Sequence, residues 1–202
     1  MAEKYMEIML TPAVQRAQEK YFGRHHAVEG VAEPDPLGPE EMGFISARDS
    51  FYMGTVSETG WPYIQHRGGV PGFVKLLGPN ILGFADLKGN RQLITTGNLD
   101  ITDRVALFMM DYPNRTRLKL LGHARVLDAK EWKELSDQLT PEPLRSRVER
   151  LFLVQVVSFD WNCPQYITPR FTEDEIEERV APLKIRLAEL EAENASPRKK
   201  IG

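Results

Sequence analysis

Residues 50–127 contain a series of short segments in which apolar and polar residues alternate, and each segment ends in turn-forming residues. Alternation with a period of two is typical of β-strands that bury one face. The turns at 58–60, 78–80 and 113–114 are rich in the glycine, proline and asparagine that tight turns favour. Six strands are predicted in this way, at 51–57, 61–67, 73–77, 81–86, 104–112 and 116–127. Antiparallel strands at this spacing favour a small β-barrel.

Helices are predicted on both sides of the strand block and at one place within it. Thr11 is a predicted N-cap, Pro12 the first helical residue and Gly23 the end of that helix. An apolar run at 151–159 predicts a further, buried strand. The other predicted helical segments are 39–47, 90–98, 128–139, a basic segment at 144–150, and an amphipathic stretch from 172 whose apolar stripe Pro182 interrupts.

These elements predict a mainly β fold with flanking helices around a six-stranded antiparallel barrel. We expect three parts: an N-terminal helical segment at 1–48, a barrel domain at 49–171, and a C-terminal amphipathic helix with a frayed tail at 172–202. A chain of 202 residues is long enough for one such domain to bury a substantial core.

Charge and composition argue against several classes of function. A net charge of −3 gives no general basic field, so we expect no nucleic-acid partner. No apolar run approaches the ~18 residues of a spanning helix, so we expect no membrane insertion. The chain has one cysteine, Cys163, and its start does not resemble a signal peptide, which predicts a cytoplasmic, reducing setting. His25 and His26 have no further ligands at suitable spacing, and no metal site is predicted.

Two short motifs have the chemistry of a phosphate site. Arg67 is followed by two glycines at the end of a predicted strand, and Gly89, Asn90 and Arg91 open a predicted helix. Arginine supplies a fixed cation, glycine lets backbone amides approach an anion, and a helix N-terminus favours negative charge. Each motif alone is also compatible with an ordinary loop. Together, and with Gln65 and Asn90 as amide side chains, they predict one phosphate site.

Four segments extend this pattern: Gly-Trp-Pro-Tyr-Ile-Gln at 60–65, Gly-Asn-Arg-Gln at 89–92, Asn-Leu-Asp-Ile-Thr-Asp-Arg-Val at 98–105, and a Gly-x-Ala-x-Val element at 122–126. Through them the block resembles the pyridoxamine 5′-phosphate oxidase-like, FMN-binding split-barrel family. The resemblance implies a homodimer with one FMN in each of two clefts at the subunit interface. It also implies an FMN-dependent oxidoreductase that exchanges hydride with an unidentified small substrate or a nicotinamide donor.

The resemblance implies roles for individual residues. Arg67 and Arg91 would bind the FMN phosphate, with Gly89, Asn90 and Gln92 beside it. Nearer the ribityl chain and the ring, the implied residues are Gln65, His66, Val70, Asn98 and Leu99. Asp86, which ends a predicted strand, is open to two interpretations: it accepts a hydrogen bond from a ribityl hydroxyl, or it caps the following helix.

Residues 161–170 match the region that, in this family, reaches the flavin of the partner subunit. Trp161, Gln165 and Arg170 are therefore candidate cofactor-binding residues, although Trp161 also fits a core aromatic and Arg170 the cap of a turn. The oxidases have an Arg-x-His element here, whereas this chain has Gln-Tyr-Ile-Thr-Pro at 165–169. This difference argues against pyridoxamine phosphate oxidase activity.

No catalytic residue follows from the sequence, because nothing near Cys163 in sequence would lower the pKa of its thiol. Arg145, Arg147 and Arg150 are predicted to form a solvated basic helix face, with a substrate phosphate as the alternative. Two other functions remain open: a flavin-binding or storage module without turnover, and a split barrel that binds haem or a deazaflavin.

Overall fold

The computed structural model describes residues 3–27, 30–161 and 164–198. The strands are β1 (Ser50–Val56), β2 (Pro62–Gly68), β3 (Lys75–Gly78), β4 (Ile81–Leu87), β5 (Arg104–Asp111), β6 (Thr116–Asp128) and β7 (Val148–Trp161). The helices are α1 (Glu3–Met9), α2 (Pro12–Phe22), α3 (Pro39–Ser46), α4 (Ile94–Ile101), α5 (Lys133–Leu139), α6 (Glu173–Arg198) and a 3₁₀ helix over Glu142–Arg147. The fold is mainly β with flanking helices, as predicted.

The strands described form one antiparallel sheet of seven, in the order β2-β1-β5-β6-β7-β4-β3. The predicted count of six is wrong because β7, recognised only as an apolar run, pairs along most of its length with both β6 and β4. Within the described residues no ladder joins the edge strands β2 and β3, so the sheet is open.

Side chains from distant strands of this sheet meet in one core. Phe51 on β1 and Phe84 on β4 lie 5.2 Å apart between ring centroids, although β5, β6 and β7 separate their strands in the sheet. A sheet brings such strands together only by curling. Its inner face therefore surrounds a core whose fully buried residues include Phe51, Met53, Phe84, Leu107, Met109, Leu118, Leu120 and Phe152.

The N-terminal helices show which local signals decide structure. The hydroxyl of Thr11 accepts a hydrogen bond from the amide of Val14 at 3.4 Å, and α2 ends at Gly23 with a φ of 67°, as predicted. The sequence pattern does not predict α1. The carboxylate of Asp35 accepts hydrogen bonds from the first amides of α1, those of Lys4 and Tyr5, across about thirty residues of sequence.

Two helical predictions after β6 are wrong in their boundaries. α5 begins at Lys133, because Asp128 ends β6 and its carboxylate accepts from the amide of Lys130 in a turn at 2.8 Å. The predicted basic helix at 144–150 is instead a 3₁₀ helix followed by the start of β7. Arg150 consequently lies on a strand.

The chain divides into two compact units: residues up to 111 with 116–164, and residues 112–115 with 165 onward. The second unit contains α6, which continues through Pro182 without the predicted interruption. The hydroxyl of Thr172 and the carboxylate of Glu175 accept hydrogen bonds from each other's backbone amides, which is the capping box that starts this helix. None of the described helices is both long and apolar enough to cross a membrane.

Candidate functional site

A cleft of about 230 Å³ in the first unit is bounded by β2, the end of β4, the loop before α4, and the start of β7. Half of the fourteen residues predicted to bind a cofactor line it: Gln65, Arg67, Asp86, Gly89, Asn90, Arg91 and Gln92. The structure thus brings the two predicted phosphate motifs to one space. Further lining residues include Tyr63, Thr95 and Arg150.

β2 presents alternate side chains to the cleft, because successive residues of a strand point to opposite faces. Gln65 and Arg67 line the cleft, and the side-chain oxygen of Gln65 accepts a hydrogen bond from the hydroxyl of buried Thr95 at 2.6 Å. His66 lies on the other face of the strand. Its ring meets that of Tyr52 edge-on, with 5.6 Å between centroids.

Two guanidinium groups share one carboxylate in this cleft. Arg67 Nη1 lies 2.5 Å from Oδ1 of Asp86, and Arg150 Nη2 and Nε lie 2.7 and 2.9 Å from Oδ2. Arg150 reaches this point because β4 and β7 pair it directly with Asp86. The exposed fractions of these side chains are only 12% for Arg67, 21% for Arg150 and 13% for Asp86. Asp86 caps no helix, since α4 begins after Leu93 without a side-chain cap.

Aromatic rings of the core support the Arg67 guanidinium. Its central carbon lies 4.7 Å from the ring centroid of Phe152 and 6.0 Å from that of Phe84, within the range of cation–π attraction. Arg67 Nε is buried and has no hydrogen-bond partner. A buried donor without a hydrogen-bond partner lowers the stability of the folded protein. An anionic ligand that accepted a hydrogen bond from this N–H group would remove that cost.

The second motif forms a loop, and the helix predicted at 90–98 begins later, at Ile94. Arg91 and Leu93 have φ angles of 58° and 57°, in the left-handed region that a right-handed helix does not contain. Asn90 Oδ1 accepts a hydrogen bond from the amide of Gln92 at 3.2 Å, which fixes the turn. The motif therefore lines the cleft as an exposed loop and not as a helix N-terminus.

Glu149 forms ion pairs with both Arg91 and Arg150. Its two carboxylate oxygens lie 3.1 Å from Nη2 of Arg91 and 3.1 Å from Nη2 of Arg150. Desolvation acts to raise the pKa of Glu149, but the hydrogen bond and charge of Arg91 and the charge of Arg150 hold that pKa below its usual value. Glu149 is therefore ionised at neutral pH. Three guanidinium groups and two carboxylates, those of Asp86 and Glu149, leave an excess of one positive charge around the cleft.

Of the other predicted residues in the first unit, two take structural positions on α4 and a third is exposed. Asn98 is buried in α4, and its Nδ2 donates to the hydroxyl of Thr55 on β1 at 2.9 Å. Leu99 packs against the core, and Val70 is exposed after β2. These contacts fasten α4 to the sheet, and a role for the three residues in cofactor binding stays a prediction.

Trp161 ends β7 and packs against the core, which is the second of the two roles that the sequence suggested for it. Its Nε1 donates to Oε1 of Glu41 at 2.8 Å, and its ring meets Phe44 edge-on at 4.9 Å. Gln165 and Arg170 belong to the second unit, where the Arg170 guanidinium lies 4.9 Å from the ring centroid of Tyr112. Cys163 lies outside the described residues.

From the sequence, Arg150 is predicted on a basic helix face, with a substrate phosphate as the alternative, but it is not among the predicted cofactor-binding residues because residues 144–150 are assigned to a helix. The available signal was the apolar run at 151–159, which extends as a strand toward the N-terminus in the structure. Arg145 behaves as predicted for a solvated basic residue: it is well exposed and pairs with Asp137 at 3.2 Å.

No protein-family model matches the chain, and no curated protein matches it significantly. Similar solved structures include a putative pyridoxamine 5′-phosphate oxidase from Lactobacillus delbrueckii, at 18% identity and a TM-score of 0.48, covering 62% of this chain and 93% of that one. An FMN-binding protein from Syntrophomonas wolfei is 11% identical, with a TM-score of 0.46 and coverages of 61% and 87%. HutZ, a haem storage protein from Vibrio cholerae, is 17% identical, with a TM-score of 0.42 and coverages of 60% and 91%.

These structural neighbours include pyridoxamine 5′-phosphate oxidase-like and FMN-binding proteins, the group that the sequence motifs resemble. Their TM-scores lie below 0.5 and the cofactors in their names differ, so these neighbours do not by themselves indicate a cofactor for this chain.

Proposed function

We propose that this chain is an FMN-binding flavoprotein of the split-barrel type, in which residues 49–171 form the cofactor-binding domain and the cleft holds the FMN phosphate. One observation carries the proposal: two weakly exposed guanidinium groups, those of Arg67 and Arg150, meet in a cleft that the Gly89–Arg91 loop also lines. Guanidinium forks and exposed backbone amides are the donors that proteins use to bind phosphate groups.

The donor set fits a phosphate monoester. The excess positive charge favours an anion, and the unpaired Nε of Arg67 offers a further donor. Arg91, 62% exposed, can turn from Glu149 toward a ligand at small cost, because exposed ion pairs contribute little stability. In this arrangement Asp86 holds the two buried guanidinium groups in place, and the incoming phosphate competes with it for their N–H groups.

The size of the cleft indicates where the ring of FMN would lie. A volume of about 230 Å³ is below the roughly 300–1,000 Å³ of pockets that enclose a whole ligand. The cleft therefore accommodates the phosphate and part of the ribityl chain, and the ring extends beyond it. We propose that a second copy covers the ring in a homodimer, with the 161–170 segment reaching the partner's flavin, as the sequence resemblance implies.

A bound flavin would supply hydride-transfer chemistry, and the protein would supply binding and orientation. Arg67, Arg91 and Arg150 would fix the phosphate, and the hydroxyl of Thr95 would orient Gln65 so that the amide nitrogen of Gln65 faces the ribityl chain or the ring. We propose an oxidoreductase whose substrate is a small molecule or a nicotinamide donor. The absence of the Arg-x-His element from 165–169 favours a substrate other than pyridoxamine phosphate.

The first test is to identify the cofactor. Protein that is purified, or incubated with FMN and desalted, is expected to be yellow, to show flavin absorbance, and to release FMN on heating, as identified by mass spectrometry. A Soret band would assign haem instead, and a shorter-wavelength band with the mass of a deazaflavin would assign that cofactor. Either result, or protein that stays colourless after incubation with FMN, would contradict the FMN proposal.

The second test separates an enzyme from a storage module. Under anaerobic conditions NADH or NADPH is expected to bleach the bound flavin, and an added electron acceptor is expected to restore its colour. The flavin could instead stay oxidised with NADH, with NADPH and with a panel of small-molecule reducing substrates. That result would show that the oxidoreductase part of the proposal is wrong, while flavin binding stands.

A further inference from the structure

Helix α6 contains a heptad pattern of apolar residues, none of which lines the cleft. Its apolar residues follow one another at spacings of four, three, four and three, and an asparagine continues the pattern after a further four. In heptad notation these residues alternate between the d and a positions that form the contact line of a coiled coil. We call this set the seam: Ile176, Val180, Leu183, Leu187, Leu190 and Asn194.

The apolar part of the seam is not buried by the chain itself. Ile176, Leu183, Leu187 and Leu190 are 50%, 68%, 58% and 39% exposed. Single exposed apolar residues are ordinary, but a continuous stripe of them along a helix marks an interaction surface. Pro182 and Ile185 fall at c and f positions, on the side of the helix away from the seam.

The charges beside the seam favour a second copy of α6 in parallel orientation. In a parallel pair a g residue faces the e residue five positions later in the other helix. Arg186 then faces Glu191 of the second copy, and the two-fold symmetry of the pair gives this attraction twice. Arg179 faces Lys184, a like-charge pair that symmetry also gives twice. That repulsion is reduced only in part, because both groups also have exposed contacts within their own chain.

Arg179 and Lys184 make these contacts within the second unit. The Arg179 guanidinium lies 4.4 Å from the ring centroid of Phe171, and Lys184 Nζ lies 2.8 Å from a carboxylate oxygen of Glu177. Arg186 is bound to Glu189 at 2.8 Å, an exposed i,i+3 pair that contributes little and can be exchanged.

An antiparallel pair with the same overlap places like charges together. Arg186 would face Arg186, Lys184 would face Lys184, and Glu177 would face Glu191, leaving only one attractive combination, between Arg179 and Glu193.

The last seam residue distinguishes the two orientations as well. An antiparallel pair would set Asn194 against the apolar side chain of Ile176, whereas a parallel pair sets Asn194 against Asn194. A lone polar residue at an a position is a known determinant of register in parallel dimers.

We propose that α6 pairs with α6 of a second copy as a parallel, in-register, two-stranded coiled coil through the seam. Fewer than four heptads form only a weak coiled coil alone, so the pairing adds to other contacts between copies by raising the local concentration of each helix. The proposal does not rest on flavin binding.

Disulfide cross-linking of the full chain tests both pairing and orientation. In a Cys163→Ser background, Leu183→Cys and Leu187→Cys each place the thiol at a position that faces itself across a parallel pair. Their Cα atoms then lie within the ~4.4–6.8 Å span of a disulfide, so each variant is expected to form covalent dimers about tenfold faster than Ile185→Cys, the control at the f position. Rates are followed on non-reducing gels under mild oxidation, with FMN present and absent.

Each outcome has a defined meaning. Fast self-cross-linking of both seam variants supports the parallel coiled coil. Fast cross-linking only in a mixture of Leu183→Cys and Leu187→Cys protein indicates an antiparallel pair and overturns it, as do seam rates equal to the Ile185→Cys rate. Far-ultraviolet circular dichroism confirms that the variants remain folded. Cross-linking without FMN binding would leave this inference standing while the proposed function fails.

Discussion

Arg67→Ala is expected to weaken FMN binding by about 1.5–3 kcal/mol, or roughly 10- to 150-fold in Kd. The variant removes a charge-assisted phosphate contact from a guanidinium that is only 12% exposed and is held by Phe152 and Asp86. Little of the loss can be recovered by water, because the Arg67 side chain is largely buried. Isothermal titration of FMN into the ligand-free protein measures the effect.

Two variants serve as controls for Arg67→Ala. Arg91→Ala is expected to lose less affinity, under about tenfold, because Arg91 is 62% exposed and already bound to Glu149. Arg145→Ala removes an arginine that pairs with Asp137 and does not line the cleft, so FMN affinity should not change. Wild-type affinity in Arg67→Ala would show that the phosphate lies elsewhere.

Phe152→Ala is expected to lower the free energy of unfolding by about 3–5 kcal/mol. Phe152 is fully buried on β7, and its ring stacks on that of Phe84 at 5.1 Å with an interplanar angle of 3°. Truncation leaves a cavity at the centre of the core and also removes the ring beneath the Arg67 guanidinium. Urea unfolding followed by tryptophan fluorescence gives the change in stability.

The matched control for this core variant is Ile64→Ala, which truncates a 69% exposed apolar residue on the outer face of β2. Its stability should change by no more than ~0.5 kcal/mol. A loss for Phe152→Ala no larger than that of the control would mean that the stacked phenylalanines do not form the centre of the core.

The strands and turns between residues 50 and 127 were predictable because they depend on local signals, namely alternation and turn-forming residues. The cap of α2 at Thr11 was predictable for the same reason. The seventh strand of the sheet was not counted because an apolar run does not reveal its neighbours. Those neighbours, β6 and β4, are chosen by long-range pairing.

The candidate site was predictable in its two motifs and not in its third cation. Arg67 and the Gly89–Arg91 loop were found from residue types that bind phosphate. Arg150 enters the cleft only because β7 pairs with β4 in a register that opposes it to Asp86, and no local pattern encodes that register. The left-handed backbone at Arg91 was likewise invisible, because most residues with positive φ are glycine or asparagine.

The most direct test of the account compares FMN with riboflavin, which has the same ring and ribityl chain but no phosphate. Both ligands are titrated into ligand-free protein, and binding is followed by quenching of flavin fluorescence. With two or more guanidinium contacts to the phosphate, FMN is expected to bind about 100-fold or more tightly than riboflavin. Equal affinities for the two flavins would contradict the assignment of the cleft as a phosphate site.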